Sequence, residues 1–342
     1  MNLLNKFFDS RSYKHIKDFE LSTDDFKGSK KVLFAIFSRY GDFFGTLKVI
    51  GEFIGTYGDK QLLFLVPPQF ECYVKYFFPA SLCVCINKRN PFSILRALYQ
   101  VKKFSPDIGL NPWCYGSESE FFISFAAKFS FFKKNRREKF ANLENLYDKP
   151  RVYFGLETKT WFYIDDKHEK KYTSILVCPE SSDVTRTISH EKLSVVLKEL
   201  KSVFSPNEII VAAPRQYFKD FDYGHKLILG RSVKSSNAFL SVMQNVDLVV
   251  SVDSGPLHLG YTLRKPLIGF FTKTPPEAVL DAGTKIKILR DNKFSNIHCV
   301  KGDRDCKYPL CMDAVTNDGF LSMTYVGGFQ PSDINRVDAC IY

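Results

Sequence analysis

The run Leu248-Val249-Val250-Ser251-Val252, followed by Asp253-Ser254-Gly255-Pro256-Leu257-His258, constrains the fold of this chain more than any other stretch. Five mostly apolar, β-branched residues ending in a turn read as a parallel strand covered on both faces. Asp253-Ser254-Gly255 supplies an N-cap and a backbone free to turn tightly, and Pro256 suits the first helical position. A second apolar strand, Leu267 to Phe271, follows Pro266. A helix starting at the carboxyl edge of such a sheet points N–H groups and a partial positive charge into the crevice where α/β proteins bind ligands. The natural ligand there is a phosphate, as in a nucleotide diphosphate. Plain helix capping is the competing reading of the same residues.

At 342 residues the chain is long for one core, so two domains are expected. Residues up to about Ser29 are polar and mixed and read as a short arm. Strand candidates then follow at Val32–Phe37, Leu62–Val66, Leu82–Ile86 and Ile108–Leu110, with helices from about Phe43 to Gly58 and from Pro91 to Phe104. The charged run Asp165 to Lys171 reads as a linker. Alternation restarts with a strand at Ser174–Cys178, a helix at His190–Phe204, a strand at Glu208–Ala212 and a helix at Asn237–Gln244. This pattern predicts an α/β chain with two doubly wound, Rossmann-like domains facing a cleft.

Composition narrows the function. No apolar run approaches the roughly 18 residues of a membrane span, and the start shows no secretory signal, so a cytoplasmic protein is expected. Nine scattered cysteines suit a reducing compartment rather than a disulfide framework. The 48 basic and 37 acidic residues leave a net charge of +11, which favours polyanionic partners. No zinc-finger, RNA-recognition or basic-zipper pattern is present, so nucleic acid is not an expected partner.

Three stretches together resemble the ADP-heptose:lipopolysaccharide heptosyltransferase family, whose members have the two-domain GT-B fold. They are Ser38-Arg39-Tyr40-Gly41-Asp42 with Thr46, then Arg186 within Asp183 to Ser189, and Asp253-Ser254-Gly255-Pro256-Leu257-His258, which matches Asp-(Thr/Ser)-Gly-x-x-His. Order and spacing agree from about Val32 to Asp313. The resemblance implies an acceptor-binding domain over 1–165, a nucleotide-sugar-binding domain over 172–320 and a tail over 321–342. It also implies inverting, metal-independent transfer of heptose from ADP-heptose to a lipopolysaccharide or lipooligosaccharide core, with no cofactor. Two departures stand out. Ile188-Ser189 replaces the family's aromatic-Pro pair, and Pro214 to Tyr217 lacks the acidic residue that often meets the ribose.

On this resemblance Asp42 is the general base, while its local reading is a cap for the helix that follows. Arg186 neutralises charge on the leaving diphosphate; its other reading is an exposed loop arginine. Ser254 and Gly255 donate to phosphate, Asp253 orders the turn, and His258 either reaches a phosphate or packs behind the loop. The stretch Phe121 to Lys139 reads as an aromatic helix joined to a basic loop. There Lys133, Lys134, Arg136 and Arg137 could grip an anionic glycolipid acceptor or the inner-membrane surface. Cys299, Cys306 and Cys311 with His298 could ligate zinc, but they lack a Cys-x-x-Cys knuckle and read instead as a remnant of a cysteine-rich segment. Two other functions fit the architecture: another nucleotide-sugar enzyme, such as an epimerase, and a non-enzymatic polyanion binder.

Overall fold

The computed structural model describes residues 21–112, 117–131, 145–159, 163–164, 171–213, 226–229, 235–272 and 274–290, with 312, 316 and 319–322. The chain divides into two compact units, Met1–Lys159 and Thr160–Tyr342. Each is built on its own parallel sheet.

The described part of the first unit opens with a short helix, α1 (Thr23–Gly28), within the segment expected to be a polar arm. Ser22 and Asp25 form a reciprocal capping box: the Asp25 N–H donates to Ser22 Oγ at 3.2 Å, and the Ser22 N–H to Asp25 Oδ2 at 2.9 Å. Phe26 anchors the helix. It is buried, with its ring centroid 5.4 Å from both Phe53 and Tyr57.

Strand β1 (Lys31–Ala35) is central to the sheet. Around it stand β2 (Gln61–Val66), β3 (Leu82–Cys85), β4 (Ile108–Asn111) and β5 (Lys128–Phe131), in the order β3-β2-β1-β4-β5. All pairings are parallel, with Val32 opposite both Leu62 and Ile108. Val32 to Ala35 are fully buried, as befits a strand covered on both faces. The connections are α2 (Tyr40–Tyr57), α3 (Glu71–Phe77), α4 (Pro91–Phe104) and α5 (Ser117–Ile123). Strand order reverses between β1 and β4, so the crevice of this sheet lies beyond their carboxyl ends.

The aromatic stretch after Phe121 is not one helix. It is the end of α5, a turn, and β5, in which Lys128 is exposed and Phe129 buried with the period of a strand. Gly109 in β4 permits the close approach of α5. A Cβ there would stand 2.8 Å from the Ile123 carbonyl oxygen.

A further helix, α6 (Asp148–Tyr153), lies in the weakly periodic middle of the chain and packs on α2. Arg151, 1% exposed, joins the two helices. Its Nε and Nη2 donate to both carboxylate oxygens of Glu52 at 2.8 Å, and its Nη1 to Asp148 at 3.0 Å. Burial pushes the Glu52 carboxyl up, but Arg151 and Lys159 hold it below its ordinary pKa. A buried arginine with both partners satisfied is costly to break.

The second unit holds β6 (Tyr163–Ile164), β7 (Ser174–Cys178), β8 (Glu208–Ala213), β9 (Lys226–Leu229), β10 (Leu248–Val252), β11 (Leu267–Phe270), β12 (Thr284–Lys285) and β13 (Lys287–Leu289). Its main sheet runs β13-β11-β10-β7-β8-β9, while β6 and β12 form a separate parallel pair. Counted from β7, the main sheet has the 3-2-1-4-5-6 order of doubly wound dinucleotide-binding folds. The helices are α7 (His190–Phe204), α8 (Ser236–Asn245), α9 (Gly255–Thr262) and α10 (Pro276–Val279). Leu193, Val196, Leu197 and Leu200 of α7 pack with Ile175 and Val177 of β7 and Val250 of β10 in one buried core. The switch point falls between β7 and β10. No helix among the described residues is long and apolar enough to cross a membrane.

Replacing Arg151 with Ala should destabilise the protein by about 3 kcal/mol, because Glu52 and Asp148 lose their shared cation. Urea unfolding followed by circular dichroism checks this. A loss below about 1 kcal/mol contradicts the role given to the buried cluster.

Candidate functional site

Two loops leave the carboxyl ends of the strands flanking the switch point of the second unit. One follows β7 and carries Arg186; the other is the Asp253-Ser254 turn after β10. Ser251 of β10 lies opposite Cys178 of β7 in the parallel register, so both loops start from the same level of the sheet.

The first loop is stiffened by bonds among its own short polar side chains. Asp183 Oδ1 accepts from the Thr185 N–H at 3.0 Å and from its hydroxyl at 2.8 Å. The Arg186 N–H donates to the Asp183 carbonyl at 3.1 Å, closing a single 3₁₀ turn over Val184–Arg186. Thr187 Oγ1 accepts from the Ser181 N–H at 3.1 Å. Ile188 is buried in the core, and its N–H donates to the Pro179 carbonyl at 2.9 Å. Ser189 caps α7, its side chain accepting from the Lys192 N–H. Ile188 and Ser189, which depart from the family's aromatic-Pro pair, therefore close this loop and start the next helix.

Arg186 is not an exposed loop arginine. Its Nη1 donates to Asp253 Oδ2 at 2.7 Å and to the Asp253 carbonyl at 3.0 Å, tying the two loops together. Its side chain is only 21% exposed. The buried Nε has no hydrogen-bond acceptor among the described residues. A guanidinium held on one edge, with a donor still unspent, is suited to an incoming anion.

Asp253 is buried, and burial alone would raise its pKa. His258 and the Arg186 guanidinium outweigh that effect and lower it to about 2. The residue therefore stays ionised and orders the turn. His258, itself 3% exposed, has its Nε2 3.8 Å from Asp253 Oδ1. It is buried beside Asp253 behind the turn.

The helix starts one residue earlier than the proline suggested. Ser254 is the N-cap, with extended backbone and no side-chain capping bond, and Gly255 rather than Pro256 opens α9. The Ser254 hydroxyl lies 3.4 Å from that of Ser251. Pro256 has no N–H, and the Leu257 N–H donates to the Ser254 carbonyl at 3.1 Å. The N–H groups of Ser254 and Gly255 have no intrahelical acceptors, and with the dipole they make an anion-binding end. Gly260 lets α9 lie close on the sheet, since a Cβ there would stand 2.8 Å from Leu267 Cδ2. Pattern reading did not single out Thr272. This buried residue stands just past β11 on the same edge, and its hydroxyl has no partner among the described residues. A polar residue directly after an apolar strand was the available signal.

Asp42 belongs to the first unit. It is the third residue of α2, which begins three residues before the expected start, so it does not cap the helix; Arg39 occupies that position through its backbone alone. Asp42 is half-buried in the first turn, where a carboxylate is favoured by the dipole, and its carbonyl accepts from Thr46 Oγ1 at 2.8 Å. The helix follows β1, which places Asp42 at the switch point of its own sheet.

Lys133, Lys134, Arg136 and Arg137 lie outside the described residues, as do His298, Cys299, Cys306 and Cys311. Among the described residues no group of three or more His, Cys, Asp or Glu could hold a metal ion. An open cavity of about 520 Å³ sits at the other edge of the second sheet, lined in part by Thr173, Asp247 and Lys265. Two of its charged groups are already engaged: Lys265 Nζ donates to the Val246 carbonyl at 2.8 Å, and Asp247 accepts from Thr173 and Ser174.

Residues 235–308, which include α8, β10, α9 and β11, match the family model of glycosyltransferase family 9 (heptosyltransferase). E. coli ADP-heptose lps heptosyltransferase II superposes with a TM-score of 0.59 at 11% identity, covering 84% of this chain and 98% of that one. E. coli heptosyltransferase WaaC with ADP-2-deoxy-2-fluoro heptose gives 0.54 at 14% identity, covering 83% and 97%. The glycosyl transferase family 9 protein of Veillonella parvula gives 0.57 at 12% identity, covering 76% and 85%. No curated protein matches by sequence. The chain thus has the GT-B fold, and part of its second unit is similar to glycosyltransferase family 9. The heptosyltransferase resemblance expected from its motifs is borne out, with the family 9 match lying in the second unit.

Asp253→Asn tests the electrostatics of the turn. A carboxylate whose pKa falls from 3.8 to about 2 on folding contributes about 2 kcal/mol of stability above pH 4. That contribution is lost as pH falls through the folded value. The stability gap between wild type and variant should therefore be full at pH 6 and close between pH 4 and 2 in urea titrations. A gap independent of pH contradicts an ionised Asp253.

Proposed function

We propose that the chain is an inverting heptosyltransferase that moves heptose from ADP-heptose to the core sugars of a lipopolysaccharide or lipooligosaccharide. The observation that carries this reading is the Arg186–Asp253 bond, which holds a guanidinium beside the N-terminus of α9 at the switch point of a 3-2-1-4-5-6 sheet. The family 9 match includes the Asp253-Ser254-Gly255 turn and His258. That an E. coli heptosyltransferase is described with ADP supports an adenine nucleotide as donor.

In this mechanism Asp42 accepts the proton of the acceptor hydroxyl. The freed oxygen electron pair forms a bond to the anomeric carbon while that carbon's bond to the diphosphate oxygen breaks. The departing pair stays on the β-phosphate, and the sugar inverts in one displacement. Charge developing on the diphosphate meets the unspent edge of Arg186 and the N–H groups of Ser254 and Gly255. These fixed donors supply positive charge without a divalent ion. Asp253 keeps Arg186 aimed and carries no phosphate itself, since two anions repel. Lys133, Lys134, Arg136 and Arg137 supply cations for an acidic, phosphorylated acceptor.

Asp42→Asn should lower transfer to a core acceptor by a factor of about 10² to 10⁴, as expected for loss of a general base, while binding ADP as the wild type does. Product formation from ADP-heptose, read by mass spectrometry with and without acceptor, checks this. Full transfer by the variant removes Asp42 as base. A changed sugar in the absence of acceptor points to an epimerase.

A further inference from the structure

Helix α4 is apolar on two opposite faces. Ile94, Ala97, Val101 and Phe104 are buried beneath it, as the packing of a doubly wound domain requires. On the other side Phe92 is 79% exposed, Leu95 61% and Tyr99 63%. At 100° per residue these three fall within an arc of about 60° directly opposite the core face. A helix on the surface of a water-bathed domain ordinarily shows polar side chains there. Arg96, Lys102 and Lys103, all exposed, flank the stripe on both sides, and no acidic residue occurs from Asn87 to Phe104.

We propose that the outward face of α4 docks the protein on an anionic phospholipid bilayer. Aromatic and leucine side chains in a narrow stripe bordered by cations are the chemistry of a helix lying in a membrane interface, the apolar groups entering the acyl boundary and the cations meeting headgroup phosphates. Lys88, whose Nζ is 3.0 Å from Glu118, is already paired and is not counted. The +11 net charge acts in the same direction at longer range. Charge also argues against a second copy as the occupant. A two-fold interface joins a patch to itself, and here it would bring the same three cations together with no carboxylate on α4 to offset them. The inference extends the glycolipid-acceptor reading above but does not depend on the sugar donor.

The test is co-sedimentation of the full chain with phosphatidylcholine vesicles and with equimolar phosphatidylcholine–phosphatidylglycerol vesicles. Alongside the wild type run F92S/L95S/Y99S, R96Q/K102Q/K103Q and, as a comparison, K133Q/K134Q/R136Q/R137Q, with ADP binding by calorimetry measured on each. The expected result is binding to the anionic vesicles, at least tenfold weaker in the apolar variant. In the charge variant binding falls about a hundredfold, at about fivefold per cation, with ADP binding unchanged. All six α4 positions are exposed, so unchanged thermal unfolding confirms that the variants fold. Four results overturn the proposal: no wild-type binding to anionic vesicles, α4 variants that bind as the wild type does, and loss only when Lys133, Lys134, Arg136 and Arg137 are neutralised. The fourth is a wild-type dimer that the apolar variant dissociates. Vesicle binding through α4 without ADP binding leaves this inference standing and removes the donor reading.

Discussion

The hydrogen bond from Arg186 to Asp253 is the constraint on which the candidate site depends. A carboxylate buried to this degree must be ionised and paired, or neutral, and here two neighbours keep it ionised. The pairing has a geometric consequence. It fixes the loop after β7 against the turn after β10, so the two ends of the switch point are one rigid assembly. The 3₁₀ turn, the Asp183–Thr185 bonds and the buried Ile188 brace that assembly from one side. Gly260 braces it from the other by letting α9 sit down on the sheet. What results is a cation and a helix N-terminus held side by side, without the reorganisation that exposed side chains would need on binding a diphosphate.

Much of the fold is legible in the sequence because its signals are local. Leu248–Val252 is buried throughout and Ser174–Cys178 at all but its first residue, and their strand limits agree with the pattern at every residue. Pro91–Phe104 and His190–Phe204 begin after Asn90 and Ser189, which cap them through side chains, and their limits agree as well. Where the local signal is weak, the pattern and the structure part. Arg39 caps α2 with no side-chain bond, so the pattern puts the helix start near Phe43 and makes Asp42 a candidate cap. The Ser22–Asp25 box sits in a polar segment whose one decisive residue, Phe26, is apolar only in a single position. The turn between α5 and β5 was hidden inside a run of phenylalanines that suits either element.

The site was legible in part for a different reason. Asp-Ser-Gly-Pro after a buried strand announces a helix N-terminus, and a polyanion partner agrees with the net charge. The partnership of Arg186 with Asp253 spans 67 residues and follows from strand order alone, which no local pattern encodes. The same holds for Arg151 and Glu52, 99 residues apart, in the first unit. Of the two departures from the family pattern, the one at Ile188-Ser189 is explained by contacts, since Ile188 fills core space and Ser189 caps a helix; Pro214 to Tyr217 lie outside the described residues.

The central claim is that Arg186, oriented by Asp253, meets the diphosphate. Calorimetric titration of the wild type and Arg186→Ala with ADP and with AMP tests it most directly, because the two nucleotides differ only in the β-phosphate. The account predicts that the wild type prefers ADP by well over tenfold and that the variant loses about tenfold of that preference, the order of one charge-assisted hydrogen bond, keeping only what the Ser254 and Gly255 N–H groups supply. An equal preference for ADP in wild type and variant would contradict it.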